Sequence, residues 1–195
     1  MIAGLVLAAG AARRFGSPKQ LAELDGVPML QHAIDAMLAV PALDRVVVVL
    51  GAAAEHVAAA VKFADAEPVV CDGWEEGMAA SLRCGVEAVG DADWVVVTLG
   101  DQPGITPEAI EAVLAATGSD PAGPDAPDAV RAEYAGHAGH PVALSRALFA
   151  RVADLRGDVG ARDLLAGATV RPVEALHLAR PDDVDTPDEL EAIRR

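Results

Sequence analysis

The chain has 195 residues, with 15 basic and 30 acidic side chains, a net charge of −15 and a pI near 4.5. This length predicts one domain over residues 1–195, and charge this negative excludes a general basic surface for nucleic acid or anionic membrane. With 42 Ala, 24 Val, 19 Leu and 6 aromatic residues, the core has to be built from small side chains. No apolar run nears the roughly 20 residues of a membrane helix, and the opening MIAGLVLAAG lacks a basic leader region, so a soluble cytoplasmic protein is expected.

In chain order, residues 2–7, 46–50 and 95–99 are short runs apolar on both faces, as strands of a parallel sheet covered on both sides are. Between them the period is helical. Residues 28–40 open on a proline suited to a first turn and stripe Met29, Ile34, Met37 and Leu38. Residues 55–62 and 79–89 are alanine-rich, and Thr106-Pro107-Glu108 starts a helix to about Ala116. The alternation predicts an α/β fold, a Rossmann-like, doubly wound and mostly parallel sheet.

Residues 117–128, TGSDPAGPDAPD, hold three prolines and two glycines and predict a mobile surface loop between halves of about 1–116 and 129–195. Beyond it, residues 129–134 and 141–144 flank the turn AGHAGH, a hairpin-like excursion from the parallel sheet. Ser145 is expected to cap a helix to Ala153, Asp158 another over residues 159–165, and residues 170–177 to form a weaker strand. Thr186, Pro187 and Glu189 have the spacing of a capping box. Cys71 and Cys84 lack C-x-x-C spacing, so neither a disulfide scaffold nor a cysteine zinc site is expected.

The charge is unevenly spread. Residues 1–22 hold Arg13, Arg14 and Lys19 and no acid, whereas residues 63–128 hold 14 acids and one base, Arg83. A basic segment among glycines reads as an anion cradle and the acid-rich middle as a source of ligands for a divalent cation; a solvated charge gradient is the alternative. The densest feature is LVLAAGAARRFGSPKQL, residues 5–21, where a strand enters a loop with Gly10 and Gly16. Glycines there let backbone N–H groups face phosphate oxygens. A Walker loop is excluded, because the glycines stand six apart and Ser17 follows, and a dinucleotide fingerprint is excluded by Ala12 in place of its second glycine.

The run LAAG-x-x-x-R-x-G-x-x-K resembles the signature of the MobA-like nucleotidyltransferases, the molybdenum cofactor cytidylyltransferase family, within the sugar-nucleotide pyrophosphorylase-like fold. The resemblance implies a sheet of the nucleotide-diphospho-sugar transferase type. It also implies a loop of Leu7, Ala8, Ala9, Gly10 and Gly16 around a nucleoside triphosphate, with Arg14 and Lys19 as catalytic residues that neutralise its phosphates. In VVVTLGDQP, Asp101 ends a buried strand where α/β sheets open a ligand crevice. A carboxylate there can hold Mg²⁺, and the resemblance makes Asp101 catalytic and a metal ligand. In DVDTP it supplies a second ligand, Asp185, with Asp183 in reserve. Gly77 and Ser81 lie in a segment resembling the one beside base and ribose, with Cys71 where many relatives have Asn; a helix N-terminal turn is the other reading. GHPV and GDVGAR resemble parts of the acceptor half, which makes His140, Asp158 and Arg162 acceptor-binding residues. His137 and His140 lack a third ligand for zinc.

The implied reaction moves CMP from CTP to the phosphate of a molybdopterin cofactor, with Mg²⁺ bound and pyrophosphate released, and the product destined for a client molybdoenzyme. Ala9 in LAAG points to cytidine, since guanylyl-transferring relatives read LAGG. A GTP-using transferase, another nucleotidyltransferase acting on a phosphate, a non-catalytic maturation chaperone and a redox-associated relative stay open.

Overall fold

A computed structural model describes residues 1–12, 15–118, 123 and 126–194, with Arg162 described by its backbone alone. Arg14, and residues 119–122 and 124–125 of the expected loop, lie outside the described residues. The first apolar run is β1 (Ile2–Ala8), followed by a small antiparallel pair, β2 (Glu23–Leu24) with β3 (Val27–Pro28). Then come α1 (Met29–Leu38), β4 (Arg45–Leu50), α2 (Ala54–Ala60), β5 (Ala66–Val70), α3 (Met78–Val89), β6 (Trp94–Leu99) and α4 (Pro107–Ala115). The later part holds β7 (Ala129–Tyr134), β8 (His137–Ser145), α5 (Phe149–Asp154), α6 (Ala161–Leu164), β9 (Val170–Glu174) and α7 (Pro187–Ile193).

Seven strands form one sheet of order β5-β4-β1-β6-β8-β7-β9. β1 lies between β4 and β6 and parallel to both, with Val6 opposite Val48 and Thr98. β5 extends the parallel run and β9 pairs parallel with β7, while β8 runs against both β6 and β7. The chain leaves β1 toward β4 on one side and reaches β6 on the other. At such a reversal the carboxyl ends of the two strands diverge into a crevice. The central strands β1, β4 and β6 are buried on both faces. Val6 packs with Leu30, Ile34 and Met37 of α1 and Ile110 and Val113 of α4, and Leu5 packs with Leu82 and Val86 of α3 on the other face. The small-residue composition sets the spacing of these layers: a Cβ on Gly85 of α3 would stand 2.5 Å from Leu5. Among the described residues no helix is long and apolar enough to cross a membrane.

Several expectations are corrected. The hairpin turns on Ala135 and Gly136 alone, both at positive φ, so His137 already pairs with Tyr134 and the strand begins four residues earlier than the pattern implied. Two residues with φ above zero match the twist of the flanking strands. Ser145 ends β8 without a side-chain cap, and a 3-10 turn over Arg146–Leu148 precedes α5. α6 starts after Gly160, not Asp158, and Met78 packs at that point, its Sδ 2.6 Å from where a Cβ on Gly160 would stand. β5 escaped notice because AEPVV carries a glutamate and a proline, residues tolerated at a sheet edge. Cys71 and Cys84 form a disulfide, with Cα atoms 5.9 Å apart. The sequence spacing gave no hint of it, since it is the packing of α3 over the end of β5 that brings the two sulfurs together.

Candidate functional site

The cleft at the carboxyl ends of β1 and β6 has a volume of about 630 Å³, within the range of small-molecule sites. One wall is the end of β1 and the loop after it, residues 7–12, with Lys19 and Gln20; the other is Trp74 to Met78 with Ser81, and Leu99, Gly100 and Asp101 lie between them. The loop is held from below. Gln20, almost fully buried, donates from Nε2 to the carbonyls of Ala8 and Gly10 at 2.9 Å each. From the side, Ala52 N–H donates to the carbonyl of Ala9 at 3.0 Å. Gly51 permits this approach, since a Cβ there would stand 2.7 Å from that carbonyl and 2.6 Å from Trp74 Cβ. Gly10 keeps open space around its missing Cβ, and Gly16 adopts φ +78 at the edge of a second, smaller cleft that Gly10 shares.

Lys19 is in the 3-10 turn beside Gln20 and lines the cleft. Its Nζ lies 2.5 Å from Asp101 Oδ2 and 2.7 Å from Asp185 Oδ1. Burial disfavours the ammonium, but the two carboxylates outweigh it and raise its pKa. Asp185 comes from the far end of the chain, and its placement has clear local causes. Asp185 and Thr186 N–H groups donate to Glu189 Oε2 while Thr186 Oγ1 accepts from Glu189 N–H, so the expected capping box of α7 fixes the residue before it. Val184, fully buried with Met29 and Leu190, donates its N–H to the Asp101 carbonyl at 3.0 Å. Asp183 also faces the cleft and accepts from Gln102 Nε2 at 2.8 Å. Burial, and then the charge of Asp101, push the pKa of Asp183 up against that hydrogen bond.

The structure therefore brings Leu7, Ala8, Ala9, Gly10, Lys19, Gly77, Ser81, Asp101, Asp158 and Asp185 around one cleft. Gly77 differs in its reason. It adopts φ +121, and a Cβ would stand 2.7 Å from the Gly157 carbonyl, so the segment it admits is the chain's own 157–158 backbone. Glu76, whose pKa is held down by Arg83, accepts from Arg83 and from Gly157 N–H, and Arg83 also donates to the Leu155 carbonyl. The one base of the acidic middle thus ties Asp158 to the cleft wall. Gln20 and Gln102 were missed by sequence reasoning; each directly follows a motif residue, Lys19 or Asp101, and that adjacency was the available signal.

Of the other acceptor candidates, Arg162 is described only by its backbone in α6. His140 stands apart from the cleft lining, its carbonyl accepting from Tyr134 Oη at 2.6 Å and its ring within the field of Asp101. Burial of the imidazole lowers its pKa from 6.5 to about 4, although Asp101 pulls the other way. The stability contributed by a neutral ring is then complete above pH 6.5 and is lost as pH falls toward 4. Between pH 7.5 and 4.5, urea unfolding should show the native protein losing about 1–2 kcal/mol more than His140→Asn, after allowance for the ring's remaining exposure. Parallel losses in the two proteins would contradict a neutral His140.

Comparison with known proteins agrees in extent. The family model described as the MobA-like NTP transferase domain matches residues 4–175. Nicotine blue oxidoreductase of Paenarthrobacter nicotinovorans is 30% identical over 193 residues, covering 97% of this chain and 94% of that protein. Purine catabolism protein PucB of Bacillus subtilis is 32% identical over 208 residues, covering 98% and 95%. Among solved structures, Rv0371c of Mycobacterium tuberculosis superposes with a TM-score of 0.85 at 34% identity, covering 98% of this chain and 96% of that one. Its complex with manganese superposes at 0.81 and 30% identity, covering 98% and 97%.

Proposed function

From the premise that this chain belongs to the MobA-like NTP transferase family, and is therefore a nucleotidyltransferase, we propose that it transfers CMP from CTP to the terminal phosphate of molybdopterin or molybdenum cofactor, releasing pyrophosphate. The observation that carries the reading is the pairing of a glycine-bearing loop at the end of β1 with Lys19 and two carboxylates across one cleft. Residues 1–116 would hold the nucleotide and residues 129–195 the acceptor.

A phosphomonoester has a second pKa of about 6, so the attacking oxygen is already anionic at neutral pH and needs no general base. The protein's tasks are alignment and charge neutralisation. Backbone N–H groups of Ala9 and Gly10 would face the triphosphate, with Lys19 and, by motif position, Arg14 taking the charge of the departing pyrophosphate. Ala9, beside the base, would favour cytidine over guanine, and Ser81, which lines the cleft, would hydrogen-bond the nucleoside. Asp158, His140 and Arg162 would hold the pterin. The residues fit a divalent ion: two carboxylate oxygens already converge on one cation, the Lys19 ammonium. Among the described residues no three His, Cys, Asp or Glu could hold a metal by themselves. Two carboxylates with phosphate oxygens and waters are the ligand set Mg²⁺ prefers, and Rv0371c has been solved with manganese. Bound by Asp101 and Asp185, such an ion would supply positive charge at the α-phosphate. A cytoplasmic site of action and delivery to a client molybdoenzyme complete the reading.

A second reading is favoured by one observation, the 30% identity to a protein named an oxidoreductase. Thermal unfolding with CTP, GTP, ATP or UTP, each with and without Mg²⁺, separates the two. CTP with Mg²⁺ should give the largest rise in Tm. Stabilisation by a nicotinamide or flavin nucleotide, with none by a triphosphate, would favour redox chemistry.

A further inference from the structure

The Lys19 ammonium touches oxygens of both Asp101 and Asp185, at 2.5 and 2.7 Å. A divalent ion bridging the same two carboxylates has metal–oxygen distances of about 2.1 Å. Bound through the same oxygens, Asp101 Oδ2 and Asp185 Oδ1, it would take the space that Nζ fills. The two cations then compete for one place between the carboxylates. The backbones that carry them are held, Asp101 at its carbonyl by Val184 N–H and Asp185 at its own N–H by Glu189. A third carboxylate, Asp183, faces the same cleft. Asp101 and Asp185 are partly buried, with side-chain exposures of 21% and 30%, so removal of the ammonium without a replacement would take a positive charge from both. Lys19, in contrast, has a flexible four-carbon stem that can turn its charge out of the gap.

We propose that Lys19 is a place-holding cation: it occupies the metal position until a nucleoside triphosphate offers its ammonium a new partner, so that divalent metal and nucleotide bind as a coupled pair. The proposal rests on the nucleotidyltransferase reading of the cleft. Its logic is that of linkage. Metal binding alone requires Lys19 to leave two carboxylates for water, whereas in the presence of triphosphate the same movement places the ammonium on phosphate oxygens. Whatever factor the nucleotide adds to metal affinity, the metal must add to nucleotide affinity. The coupling also keeps Asp101 and Asp185 from repelling an incoming polyphosphate, because their charge is covered by Lys19 at encounter and by the metal afterwards.

The test is Mn²⁺ binding followed by loss of the free-ion EPR signal, in the full chain without acceptor. Without nucleotide, Lys19→Met should bind Mn²⁺ at least about tenfold more tightly than the native protein, a coupling of about 1.4 kcal/mol or more. Lys19→Gln, which keeps a hydrogen-bond donor for the carboxylates but no charge, should do the same and serves if the methionine variant does not fold. Adding Asp101→Asn to either should abolish the gain. With CTP present, the native protein should take up Mn²⁺ beyond that bound by CTP alone. Unchanged or weaker Mn²⁺ binding by both Lys19 variants would overturn the place-holder role. If the native protein nonetheless binds Mn²⁺ with CTP, the nucleotidyltransferase reading stands without it. Failure to bind Mn²⁺ in every protein, with and without CTP, would overturn both.

Discussion

Asp101→Ala is expected to lower nucleotidyl transfer by about a thousandfold or more, with the fold intact. The two halves of this expectation have separate causes. The carboxylate does no packing work: it contacts the Lys19 ammonium, and its charge adds to the burial that destabilises ionised Asp183. The backbone around it does the structural work, through Val184 N–H on the Asp101 carbonyl and Gly100 N–H on Leu7, and both bonds survive in alanine. Lys19 would retain Asp185 as a partner. Pyrophosphate release measured beside a thermal melt checks both halves. Activity within a few-fold of native would remove Asp101 from the chemistry, and collapse of the melt would show that the carboxylate carries structural load.

The largest stability loss outside the apolar core is expected for Gly77→Ala. Two penalties coincide there, a left-handed φ of +121 that disfavours any Cβ and a backbone carbonyl 2.7 Å from where that Cβ would be. Strain and overpacking together should cost about 2–5 kcal/mol, a fall in Tm of roughly 6–15 °C for a chain of this size. Gly136→Ala is the control, since its φ is +81 but a Cβ there meets nothing within 4 Å. It should lose only about 1 kcal/mol. Because Gly77 also lines the cleft and carries the 157–158 segment on its back, the variant should weaken CTP binding even at temperatures where it is folded. Equal losses in the two variants would show that the 157–158 backbone is free to retreat from Gly77.

The parallel centre of the sheet was legible because its strands are uniformly apolar: β4 and β6 read RVVVVL and WVVVTL, patterns that suit burial on both faces. The cleft was legible for a related reason. Asp101 follows the carboxyl end of β6, at the point where strand order reverses, and Lys19 and Asp185, which the family resemblance singled out, are brought to it by the 3-10 turn after β1 and the capping box of α7. What stayed hidden depends on contacts between segments distant in sequence. The Cys71–Cys84 bridge follows from the seat of α3, and the role of Gly77 from a backbone 80 residues away at Gly157. Gln20 and Gln102 were hidden differently. Polar side chains read from sequence look solvated, and only the structure shows them buried beneath the loop and beside Asp183.

The central claim is that this cleft transfers a nucleotide to a phosphorylated pterin, and it is tested most directly by mass spectrometry of the acceptor. The purified protein would be incubated with molybdenum cofactor, Mg²⁺ and each of the four triphosphates in turn. The account predicts one pyrophosphate released per acceptor consumed and a product heavier by a cytidylyl group, formed fastest with CTP and absent with Asp101→Ala. An unmodified pterin with all four triphosphates, from protein that CTP and Mg²⁺ nonetheless stabilise, would contradict it.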